Sequence, residues 1–159
     1  MRPVLSFLVS IPLLVGTGSA MAQVPTDADV VAVKAVMASY KSALERLDLD
    51  GVDRLFASDS LVIESGKVEG AYAEYRDHHI GPELGHFASF QFSDYTVSVR
   101  LEGPIALATE TYRYSIRLKN KPEPIERQGV ASSVLKKGEG GWKILSMHSS
   151  SRAPKPRAK

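Results

Sequence analysis

The chain has 159 residues, with 20 Lys and Arg against 18 Asp and Glu, a formal net charge of +2, 43% hydrophobic residues and no cysteine. Such a composition excludes a disordered, collagen-like or disulfide-stapled chain, and it removes thiol catalysis and thiolate metal sites. Four basic residues, Arg152, Lys155, Arg157 and Lys159, crowd the last stretch of chain while the rest carries more acidic than basic groups. The positive charge is a short tail and not a face, so no nucleic-acid partner is expected.

In chain order, Arg2 precedes an apolar run over residues 4–15 and small residues ending in Ala20-Met21-Ala22. A basic start, a short apolar stretch and a small-residue cleavage site make the layout of a secretory signal peptide. The sequence thus predicts a signal peptide over residues 1–22, cut after Ala22, and a secreted or periplasmic protein. The apolar run is shorter than the roughly 20 residues that a spanning helix needs, and no second run exists, so no membrane span is expected. Residues 23–151 suffice for one domain with a single core. Residues 152–159, kept extended by Pro154 and Pro156, are expected as a basic disordered tail.

From Ala28, the apolar residues Val30, Val33, Val36, Met37, Tyr40, Leu44 and Leu47 recur at three- and four-residue steps. That spacing predicts an amphipathic helix with one buried stripe, with Asp27 or Asp29 suited to cap its start. Leu49-Asp50-Gly51 breaks the pattern, and Val52, Leu55 and Phe56 predict a second short helix from near Asp50. The acidic spacing from Asp48 to Asp53 resembles the opening of a calcium loop. The later ligands of such a loop are missing, which leaves turn-and-cap chemistry. Residues 61–64 read as a short strand ended by Ser65-Gly66, and residues 70–80 as a helix interrupted at Gly81-Pro82, with a further turn starting at the proline.

The second half differs in kind. Residues 90–101 and 105–118 are long runs rich in aromatic and β-branched side chains, joined by Glu102-Gly103-Pro104. Residues 125–135 and 142–150 predict two more long strands. Helices followed by a meander of antiparallel strands define an α+β domain, with helices packed on one face of a curved sheet.

Three features together resemble the nuclear transport factor two-like superfamily, in its SnoaL-like and ketosteroid-isomerase-like branch. They are the opening helix with Tyr40-Lys41-Ser42-Ala43-Leu44 followed by Leu49-Asp50-Gly51-Val52-Asp53-Arg54-Leu55-Phe56-Ala57, the strand set of period two, and the closing segment from Gly141-Trp142-Lys143-Ile144 to Ser149-Ser150-Ser151. The resemblance implies a cone-shaped half barrel of cystatin-like topology, with N-terminal helices closing a curved antiparallel sheet around an internal pocket. It also implies frequent homodimers formed through the sheet. Members include isomerases, polyketide cyclases, dehydratases and binding modules. The acid–base set of the ketosteroid isomerases does not align onto this chain, so that activity is not carried over.

Strand parity selects the side chains that face the pocket, because alternate residues point to opposite faces. In the second long strand Ala108, Glu110, Tyr112, Tyr114 and Ile116 share the apolar face, which turns Glu110 inward. A carboxylate there takes a hydrogen-bond partner or a proton. It reads either as a general acid or base, or as a residue bonded to a neighbouring Tyr or Arg. In the last strand Trp142, Ile144, Ser146, His148 and Ser150 share a face, so His148 is expected to look inward as a pocket residue or a packed histidine. On an unbroken helix His79, Glu83 and His86 form one stripe, which with His148 would supply a metal site. The same stripe reads as partly core, with Tyr72, Tyr75 and Leu84 packing.

No glycine-rich phosphate loop, nucleophile elbow or dinucleotide fingerprint is present, and no cofactor is expected. The reading is an exported domain that binds a small apolar or amphipathic molecule through Tyr75, His79, Glu110, Tyr112 and His148, with catalysis unassigned. Two alternatives stand beside it. One is acid–base isomerisation, cyclisation or dehydration of a carbonyl-bearing substrate, with Glu110 as base and His148 or a tyrosine as proton donor. The other is a periplasmic metal binder through His79, His86 and His148.

Overall fold

The first helix, α1 (Asp27–Arg46), buries the stripe that its periodicity sets out, with Val33 and Met37 fully enclosed and Tyr40 and Leu44 nearly so. The structure is a computed structural model in which residues 26–154 are described. The expected signal peptide and the end of the basic tail lie outside the described residues. Thr26, and not Asp27 or Asp29, is the cap of α1: its hydroxyl accepts from the Asp29 backbone N–H at 3.3 Å, and the Asp29 carboxylate accepts from the Thr26 N–H at 3.2 Å. This is a reciprocal capping box, which satisfies donors on both sides of the helix start. The same carboxylate accepts from Trp142 Nε1 at 3.2 Å and pairs with Lys137 Nζ at 2.7 Å, fastening α1 to the far end of the sheet.

Leu47 ends α1 in the left-handed region at φ 55°, and the Asp48 carboxylate accepts from the Asp50 N–H at 2.9 Å. The acidic run after the helix is therefore turn chemistry. The second short helix is a single 3₁₀ turn, Val52–Leu55. It leads into β1 (Phe56–Glu64), which begins before the short strand that the sequence signals, and β1 turns through Ser65-Gly66 into β2 (Lys67–Gly70). Strand β2 has four residues and one aliphatic side chain, so no alternation announces it.

The helical stretch that follows runs without a gap as α2 (Tyr72–Tyr75), a π turn (Arg76–Ile80) and α3 (Gly81–His86). The Gly81 N–H donates to the Arg76 carbonyl five residues back, and a Cβ at position 81 would run into that oxygen. The wide turn thus absorbs the disruption that Gly81-Pro82 brings, and Pro82 sits in the first turn of α3, where its missing N–H costs little.

Four long strands complete the chain: β3 (Phe87–Glu102), β4 (Ile105–Leu118), β5 (Ile125–Gly138) and β6 (Gly141–Arg152). The six strands form one curved, unclosed sheet in the order β2-β1-β6-β5-β4-β3. Every pairing is antiparallel except β1 with β6, which run parallel, so the sheet is mixed. The helical stretch carries the chain from β2 at one edge of the sheet to β3 at the opposite edge, and the meander returns until β6 lies beside β1. Helix α1 covers one face, where Met37, Ala106, Ala108, Leu135 and Ile144 meet. Each larger aliphatic side chain so enclosed contributes roughly 1.5–3 kcal/mol relative to exposure.

Two irregularities in the strands decide which side chains face α1. In β3, Ser93 pairs with Arg113 and Thr96 with Thr111, so Asp94 and Tyr95 together oppose Tyr112. Asp94 takes φ 51° at this bulge. In β6, Ile144 pairs with Leu135 and Ser146 with Val134, which leaves Leu145 as the extra residue. An extra residue reverses the facing of everything beyond it. Beyond Leu145 the inward residue is Met147, which is buried, while His148 is exposed on the opposite face. The simple alternation that turns His148 inward is therefore corrected by one inserted residue.

Candidate functional site

Between the C-terminal half of α1, the α2 and π-turn segment and the inner faces of β3 to β6 lies a cavity of about 80 Å³. Its walls are dominated by aromatic rings, among them Tyr40 and Tyr75 from the helices and Phe92, Tyr95, Tyr112 and Tyr114 from the sheet. Two carboxylates, Glu64 and Glu110, and one ammonium, Lys41, also line it. The volume is well below the roughly 300–1,000 Å³ of a site for a drug-sized ligand, so it suits a small molecule or one end of a larger one.

Glu110 is the buried polar residue of the cavity, 5% exposed. The Tyr95 hydroxyl donates to its Oε1 in a short hydrogen bond. Burial pushes its carboxyl above the usual carboxylate range, with the Tyr95 hydrogen bond pulling the other way. Burial also raises the phenols of Tyr95 and Tyr112, and the neighbouring Glu110 adds to both shifts. Tyr95 is the residue that plain alternation along β3 misses, since the bulge at Asp94 turns it inward. Its signal lies in the sequence: Phe90 and Phe92 alternate in one phase, and Tyr95, Val97, Val99 and Leu101 in the next.

At the helical side, Tyr75 is 3% exposed and donates to Glu64 Oε2 at 2.6 Å. Burial drives the Tyr75 and Tyr40 phenols well above their ordinary value, so both remain protonated donors at neutral pH. Lys41 Nζ pairs with Glu45 at 2.6 Å and lies 5.5 Å from the Phe92 ring centroid and 5.4 Å from that of Tyr95. The other oxygen of Glu45 accepts from the Phe92 backbone N–H at 3.1 Å, which sets β3 against α1.

Of the five residues chosen from the sequence, Tyr75, Glu110 and Tyr112 line the cavity. His79 stands beside it without lining it: its ring centroid is 5.2 Å from that of Tyr75, and Nδ1 is 2.9 Å from Glu69 Oε1. Its Nε2 lies 3.5 Å from Glu83 and 3.9 Å from Glu64. His148 is separated from the cavity by the thickness of the sheet. The histidine stripe does not converge either, because His86 is exposed at the end of α3 and His148 lies on the far face. Among the described residues no group of three His, Cys, Asp or Glu side chains is placed to hold a metal ion. Nor is any helix among them long and apolar enough to cross a membrane.

Helices packed on a curved, unclosed mixed sheet make this an α+β domain of cone-like fold. Residues 33–154 match the family described as SnoaL-like domain, and the chain belongs to it. Among solved structures it is similar to an NTF2-like superfamily protein from Salmonella enterica, at TM-score 0.73 and 17% identity, over 85% of this chain and 99% of that one. It is also similar to a candidate dehydratase of the NTF2-like family from Streptomyces avermitilis, at TM-score 0.71 and 22% identity, over 81% and 100% of the two chains. A candidate ketosteroid isomerase from Shewanella frigidimarina superposes at TM-score 0.64 with 25% identity, over 75% and 94%. No curated protein matches the sequence.

Proposed function

We propose that this SnoaL-like domain binds a small, partly apolar molecule in the hollow beneath α1. The observation that carries the reading is the Glu110–Tyr95 pair, a buried carboxyl set among aromatic rings in a cavity that no side chain of the described residues fills. Burying a carboxyl costs stability unless it is bonded, and a core that needed only packing would place an apolar residue there. The test is native mass spectrometry of protein purified from its own host, on the wild type and on Glu110→Gln. Glutamine keeps an acceptor for Tyr95 and removes the acid. A co-purifying molecule lost or depleted in the variant supports the reading, and an empty wild-type protein counts against it.

A second reading is acid–base chemistry on a carbonyl-bearing molecule. Glu110 favours it, because a buried carboxyl whose pKa burial raises, set in a cavity, is suited to act as a general acid or base. Similarity to proteins described as a candidate dehydratase and a candidate ketosteroid isomerase is consistent with it. With His148 on the far face, the proton donor in this scheme is Tyr112, whose protonated phenol would steady the developing oxyanion while Glu110 takes the α-proton. Deuterium exchange at the α-carbon of the captured molecule, followed by NMR, separates the two readings. Catalysis requires exchange in the wild type and its loss in Glu110→Gln.

Two further proposals concern the setting. Export rests on Arg2, the apolar run and Ala20-Met21-Ala22, and Edman sequencing of the mature protein should begin at Gln23. A homodimer through the outer face of the sheet is supported by the apolar side chains left bare there, Leu61, Leu107 and Val130.

A further inference from the structure

The charges around the cavity do not balance. Glu110 is buried and has no cationic partner among the described residues, its single hydrogen bond coming from Tyr95. Glu64 also lines the cavity. Its Oε2 accepts from a neutral donor, the Tyr75 hydroxyl, and lies 3.9 Å from Nε2 of His79, a side chain that stands outside the cavity and is shared with Glu69 and Glu83. The one ammonium in the wall, Lys41, is already matched by Glu45 at 2.6 Å. The walls between these carboxylates are the faces and edges of tyrosine and phenylalanine rings. Aromatic rings attract a cation through their negative faces, and the attraction grows as water is excluded. The protein already uses them in this way, since Lys41 Nζ lies within 5.5 Å of the ring centroids of both Phe92 and Tyr95. Apolar walls alone would accept any apolar ligand. Walls of this kind, with two carboxylates that no lysine or arginine pairs, favour one that brings positive charge.

We propose that the molecule bound in this cavity carries an alkylammonium group, held by the aromatic walls with Glu64 and Glu110 as its counter-charges. The inference rests on the ligand-binding reading above and narrows it to a chemical class. The cationic end replaces the missing partner of Glu110, and the small volume fits a compact ammonium head better than a fused ring system.

Choline and its neutral isostere 3,3-dimethylbutan-1-ol serve as probes, because they share a shape and differ in charge. Each is titrated into the full mature chain by calorimetry and by NMR of the tyrosine ring protons. Choline is expected to bind at least ten-fold more tightly than the alcohol. In Glu64→Gln/Glu110→Gln that preference should fall toward one, with thermal melting confirming that the variant is folded. Equal affinities in the wild type, or a preference that survives the double substitution, overturn the ammonium assignment and leave the ligand cavity standing. Failure of both probes to perturb the tyrosines overturns the ammonium assignment, and an empty protein in native mass spectrometry then removes the cavity reading as well.

Discussion

The edge of the Tyr112 ring lies against the bare backbone of Gly129 on β5, where a Cβ would overlap the ring. Glycine is needed here for close approach and not for an unusual backbone angle, and it allows Tyr112 to line the cavity without filling it. Gly129→Ala should push the ring toward the hollow and cost about 1–3 kcal/mol of stability, the usual cost of adding a methyl group to a packed site. Urea denaturation measures the first effect, and affinity for the captured ligand the second. A variant of unchanged stability and unchanged binding would show that the Tyr112 ring has room to move. Glu110, by contrast, is placed by regular geometry: between Ala108 and Tyr112 the period of two runs unbroken, so both the inward direction and the need for a bonded partner follow from the sequence.

At the scale of elements, Asp29 joins the start of α1 to the β5–β6 hairpin through Lys137 and Trp142. The Lys137 ammonium, opposed by burial and aided by the Thr26 and Trp142 donors, lowers its carboxyl to about 2. A carboxyl lowered in the folded state stabilises at pH above its unfolded value near 3.8, and that contribution disappears as pH falls through about 2. Asp29→Asn should therefore melt below the wild type at pH 7, with the gap closing between about pH 4 and pH 2. Thermal unfolding across that range checks it, and a gap independent of pH would assign the loss to shape and not to charge. The elements themselves were largely legible, because α1 and the four long strands have strong periods. What leaves little signal is local: β2 is too short and polar to show a pattern, and the two bulges shift phase by a single residue. On β3 the shift leaves a trace, since apolar residues resume at Tyr95 in the new register. On β6 the residues after Met147 are His148 and serines, which mark neither face, so nothing in the sequence reveals that His148 has been turned outward.

For the molecule as a whole, the two faces of the sheet differ in kind. The inner face is closed by α1, whereas the outer face carries Leu61, Ser146, Val134 and Leu107 in one register across four strands, with Val130 on the same side. Leu61, Leu107 and Val130 are 40%, 42% and 48% exposed, an apolar row interleaved with small serines and threonines. Single exposed apolar side chains are ordinary, but a row of them on a flat, hydrogen-bonded surface is suited to burial against a second sheet. Such a pairing would also seat His148 at the subunit contact, giving it a structural environment in place of the cavity role that simple alternation suggests. Leu107→Lys/Val130→Lys places two like charges on each copy at this face without touching the core, so the fold should persist while the dimer separates. Sedimentation velocity at tens of micromolar protein is expected to give a dimer for the wild type and a monomer for the variant, with the same far-ultraviolet circular dichroism. A wild type that sediments as a monomer, or a variant that remains dimeric, would move the contact away from this face, and the cavity would be unaffected because it opens on the other side of the sheet.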